Sequence, residues 1–109
     1  MEMNSDAISE LRVFFVHPDG SKVLGRIWIG RPQVIDDLES RCPVGLDGLH
    51  ERLRPISGTD TLQALLLAIR LVASLLRDFQ ERGGKVLLVE DDALVDLGAY
   101  FGALVDRRT

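Results

Sequence analysis

The stretch 58–82, GTDTLQALLLAIRLVASLLRDFQER, constrains the fold more than any other, because it reads as one long helix with little surface suited to water. Gly58 interrupts the extended segment before it. Asp60 followed by Gln63 matches a capping box, in which both side chains satisfy free amide donors of the first turn. Leu62, Leu65, Leu66, Ile69, Val72, Ala73, Leu76 and Phe79 recur at helical spacing, while Gln63, Arg70, Ser74, Arg77 and Glu81 form one narrow polar stripe. Leu67, Leu71 and Leu75 widen the apolar part beyond a single face. A rod of this kind has to be covered from more than one side, which predicts a sheet together with a second helix or another subunit. Arg70 and Arg77 interrupt the run of about 20 apolar residues that a membrane span needs, so no membrane partner is expected. Gly83-Gly84 ends the helix.

The segments ahead of it read as strands. Residues 1–10 are polar and are expected to be a flexible N-terminus, with 11–109 as a single domain. Leu11 to His17, then Pro18-Asp19-Gly20, then Lys22 to Gly30 predict a β-hairpin, with Val23, Gly25, Ile27 and Ile29 on one face and Leu24, Arg26 and Trp28 on the other. Arg31 to Arg41 reads as a polar connection with room for one helical turn and with Asp36, Asp37 and Glu39 in solvent. Cys42 to Leu49 suggests a third strand that places Cys42, Val44 and Leu46 on one face, and Glu51 to Ser57 a short fourth one, at an edge because of Pro55. Lys85 to Val89 is a strand or an extended cover. A last helix is expected from a cap at Asp91 or Asp92 to about Asp106, with Leu94, Leu97, Phe101, Leu104 and Val105 inward and Gly98 and Gly102 on one side, where another helix can approach. Together these give an α+β fold, an antiparallel β-meander of about four strands packed against one long α-helix with a C-terminal strand/helix segment.

Chemistry is harder to find. Cys42 and His50 could form a nucleophile and base, but no third group, oxyanion loop or nucleophile elbow accompanies them. Two His and one Cys show no ligand spacing, and no Gly-rich phosphate loop is present, so neither metal nor cofactor is expected. The string VLLVEDD, residues 86–92, looks like the first strand of a response-regulator receiver, yet too little chain follows Asp92 for the remaining units; acidic residues at a helix N-terminus are the simpler explanation. Arg52 and Arg54 alternate on a strand face without interleaved aromatics, and the net charge of −4 argues against nucleic acid as a partner. The single Cys cannot bridge internally, and the start MEMNSDAISE has neither a basic n-region nor an apolar h-region, so a reduced cytoplasmic protein is expected.

Gly30-Arg31-Pro32, the run from Cys42 to Gly48-Leu49, and then Gly58, Asp60, Leu62, Gln63, Ala64, Leu65, Leu67 and Ala68 resemble a family of small bacterial domains of unknown function. The likeness covers Leu11 to Leu76 and departs at Ser40, where a Trp is expected two residues before the Cys. It implies a stand-alone bacterial domain, some relatives of which look like immunity or accessory proteins, and it transfers no activity. The expected function is a non-enzymatic protein–protein interaction module. Trp28, Asp36, Asp37, Glu39, Gly98 and Gly102 are the candidate interface residues. The alternatives are a structural homo-oligomer, such as a homodimer, and a small-molecule-binding protein with a sheet–helix pocket near Cys42 and His50.

Overall fold

The β-branched and aromatic segments on either side of Pro18-Asp19-Gly20 do form a hairpin in the computed structural model, which describes residues 7–102. β1 (Ala7–Val16) and β2 (Lys22–Gly30) pair antiparallel, and the turn is closed by Gly20 at φ 93°, whose amide donates to the His17 carbonyl at 2.8 Å. β1 opens at Ala7, not Leu11, because the backbone of residues 7–10 pairs with the end of β2. The remainder of the expected flexible start lies outside the described residues.

Arg31 to Arg41 is not a polar connection with a helical turn. β3 (Gln33–Asp36) and β4 (Glu39–Cys42) form a second hairpin, and β5 (Val44–Asp47) continues from β4 after a single residue, Pro43. Chain direction and pairing make β2–β3 and β4–β5 two long strands, each bent once, at Arg31-Pro32 and at Pro43, where a ladder donor is missing. The bend splits the pairing between a four-stranded sheet, β5-β2-β1-β7, and a three-stranded sheet, β3-β4-β6, both antiparallel. β6 (Ile56–Gly58) is all that remains of the fourth strand expected over Glu51 to Ser57, and β7 (Lys85–Leu88) joins the edge beside β1. Cys42, Val44 and Leu46 do share the buried side, although they belong to two strands.

α1 (Thr61–Glu81) starts where the local chemistry dictates. The Asp60 carboxylate accepts from the Gln63 amide at 2.8 Å, and Gln63 Oε1 accepts from the Thr59 amide at 2.7 Å. It stops at Gly83, φ 100°, with the Gly84 amide donating to the Phe79 carbonyl at 2.9 Å. α1 lies across both sheets. Val72, Leu76 and Phe79 meet Val13, Phe15, Leu46 and Val86, and the rings of Phe15 and Phe79 pack edge to face at 5.9 Å.

Its rotation about its own axis departs from the sequence pattern. Ala64 and Ala68 are buried, whereas Leu62 is 64% and Leu66 49% exposed. The cause is contact distance: a Cβ on Gly58 would sit 2.5 Å from the Ala64 amide nitrogen, so β6 and the helix backbone touch, and only small side chains fit between them. Burial of the small residues turns the larger ones outward.

The last helix begins later than expected. Asp91 and Asp92 belong to a turn, in which the Asp91 carboxylate accepts from the Ala93 amide and Asp92 takes φ 57°. The cap is Asp96, and α2 (Leu97–Phe101) ends at Gly102 with φ 58°. The expected continuation to Asp106, with Leu104 and Val105, falls outside the described residues. Among these residues no helix is long and apolar enough to cross a membrane.

Candidate interaction surfaces

Three of the expected interface residues come together at the tip of the bent hairpin. An Asp36 carboxylate oxygen accepts from the Leu38 amide at 2.8 Å, which closes the turn through exposed Asp37. Glu39 lies on the outer side of β4 with Arg41 and accepts from Arg41 Nε at 2.8 Å and from Ser57 Oγ at 2.7 Å. Those donors hold its carboxyl below the usual carboxylate range and tie the tip to β6. Glu39 is therefore a brace for the hairpin, while Asp36 and Asp37 face solvent.

The tip also carries an apolar surface that composition had hidden. Val34 is 70%, Ile35 45% and Leu38 82% exposed, all within a hairpin whose β3 pairs on one side with β4 and whose turn is closed by Asp36. A legible trace existed: Asp36-Asp37 is a short turn between β-branched Val34-Ile35 and Leu38, the pattern of a hairpin. On α1, Leu62 and Leu66 border a shallow groove of about 480 Å³ together with Gln63, Leu67 and Arg70.

Trp28 stands apart from the tip, on the face of the large sheet turned away from α1. Its indole lies flat against Gly45, where a Cβ would collide with it, and Nε1 donates to Asp47 Oδ1 at 3.2 Å. The Arg26 guanidinium carbon is 5.4 Å from the ring centroid, and that group bonds Asp47 at 3.3 Å and Glu10 at 2.7 Å. A Trp held on both its edge and its face is a fixed platform. Gly98 lies within α2 and Gly102 terminates it, so the two do not form a helix face; the left-handed φ of Gly102 ends the helix before such a face can develop.

Cys42 and His50 do not assemble into a catalytic pair. Cys42 is fully buried, its thiol donates to the Gly30 carbonyl at 3.5 Å, and burial pushes that thiol up, away from the reactive thiolate. His50 is exposed and borders a cleft with Trp28 and Leu53. His17 is half-buried edge-on against Phe79 at 5.3 Å, and Arg52 and Arg54 sit in a turn and irregular chain, not on a strand. Among the described residues no group of three or more His, Cys, Asp or Glu could hold a metal ion. The cavity between sheet and helix is lined by Leu11, Ile27 and Ile69, far along the chain from Cys42 and His50, neither of which borders it. Comparison with protein-family models, with curated proteins and with solved structures finds no match for this chain.

Proposed function

We propose that this protein is a non-enzymatic interaction module that works through the tip of its bent hairpin. The observation that carries the reading is the exposure of Val34 and Leu38, 70% and 82%, on a backbone held by Glu39, Arg41 and Ser57. A fixed apolar projection loses little conformational freedom when it is covered. Edge-to-edge strand pairing is discouraged by Pro32 before β3, the irregular register between Val34 and Asp36, and the charges of Asp36 and Asp37. The contact therefore runs through side chains. Its complement is a protein with an apolar recess rimmed by basic residues, which Asp36 and Asp37 would face. Occlusion of such a partner is what an immunity or accessory protein does, and that is the specific role we assign.

The experiment places a photo-crosslinking residue at Leu38 and captures partners in source cells, with the doubly substituted Val34→Ser/Leu38→Ser protein and a Leu24→Ser control. One different protein, lost with the double substitution and kept with the control, supports the role. Capture of the chain alone, or capture that ignores the substitutions, overturns it. A second reading, a homo-oligomer, draws on exposed Leu62 and Leu66; sedimentation that finds only monomer at micromolar concentration rejects that reading.

A further inference from the structure

The inward sides of β1 and β2 are apolar from Leu11 to Phe15 and at Ile27 and Ile29, but α1 covers only part of them. Val13 and Phe15 are buried beneath it, whereas Leu11, Ile27 and Ile29 remain half-buried. These three form the floor of a cavity of about 310 Å³. Ile69, Val72 and Leu76 of α1 make one wall, and Val95, Tyr100 and Phe101, on and before α2, make the other. Among the described residues the five of α2 leave a wedge open between α1 and the sheet. It opens to solvent on one side, and at about 30 Å³ per water it has the volume of about ten.

The space has the size and lining of a small-molecule site, which is a cleft of about 300 Å³ or more, mostly apolar, with a few polar groups at the mouth. Those groups are Ser9, Glu10 and the exposed Tyr100. The Glu10 carboxylate is engaged by Arg26 Nη1 at 2.7 Å, and Arg26 belongs to the opposite face of the sheet with Trp28. Among the described residues no Lys, Arg or His borders the cavity. A charged ligand would lose its hydration without finding a counter-charge.

We infer that this cavity is a binding site for a small uncharged apolar molecule, an aromatic compound or a short aliphatic alcohol or ester, whose one polar atom stays at the mouth beside Ser9 and Tyr100. The site is separate from the hairpin tip, so each can fail without the other.

Titration of the full chain with the uncharged fluorophore N-phenyl-1-naphthylamine tests this. Saturable enhancement at one probe per chain is expected, reversed by octanol and weakened about tenfold or more by Ile69→Trp, which fills the cavity from its wall. Leu62→Ser, on the outward side of α1, leaves it unchanged. In case Ile69→Trp does not fold, methyl NMR of the unsubstituted protein with octanol reads the same point, with shifts confined to Leu11, Ile27, Ile29, Ile69 and Val95. Non-saturable binding, equal displacement by octanol and octanoate, loss of binding with Leu62→Ser, or cavity methyls that contact residues 103–109 and ignore octanol would each overturn the assignment.

Discussion

Truncation of leucines along α1 separates the observed seating of the helix from the one its apolar periodicity suggests. Leu62, Leu66 and Leu76 lie on the same predicted apolar face, so periodicity alone assigns them similar costs on replacement by alanine. In the structure Leu76 is fully buried, Leu66 is 49% exposed and Leu62 64% exposed. Full burial of a leucine stabilises by about 1.5–3 kcal/mol, so the covered third of Leu62 contributes about 0.5–1 kcal/mol and the covered half of Leu66 about 0.8–1.5 kcal/mol. Alanine's better helix propensity offsets a few tenths of each. Leu76→Ala leaves a cavity under the helix and should cost about 2–5 kcal/mol. Urea unfolding of the three variants and the parent, at two widely separated protein concentrations, measures the differences as midpoint shifts at constant slope. Leu62→Ala should be nearly silent at both concentrations. A cost matching that of Leu76→Ala at both would refute the seating argued from Gly58 and Ala64, and a cost present only at the higher concentration would mean a second copy covers this side.

Two further outcomes follow from particular contacts. Gly45→Ala should lift the indole of Trp28 off the sheet and break its bond to Asp47; because Trp28 is the only Trp, a red shift of emission with a loss of about 1–3 kcal/mol is expected, and unchanged emission would contradict the flat placement. Cys42 should resist iodoacetamide until urea unfolds the chain. Its thiol is held above the ordinary value of 9.0 by burial, so the unfolded chain releases this proton first; the stabilising effect is complete below about pH 9 and is lost as pH rises through the folded-state value. Unfolding measured above pH 9 should therefore show a falling stability that Cys42→Ala reduces, and identical profiles for the two proteins would disprove it.

The hairpin and the limits of α1 were legible because each rests on neighbours in sequence. Asp60 reaches Gln63, Gly20 closes Pro18-Asp19, and Gly83 takes the left-handed turn that stops the helix, all within a few residues. The α+β class was legible for the same reason. The candidate surface was only half visible: Asp36 and Asp37 announced solvent, but the hydrophobic side chains beside them gave no sign that nothing would cover them.

Local chemistry, then, set where this chain turns, where its helix begins and ends, and which strand faces alternate. Packing at a distance set the rest. Ser40 pairs with Gly58, and Gly58 presses on Ala64, so residues separated by many positions decide how the helix is rotated and which leucines face water. Pro43 hands one strand from the small sheet to the large one, leaving the tip of the hairpin unburied. Contact between backbones tolerates only small side chains, and no hydrophobic period along a sequence records which of its apolar residues must yield to that contact.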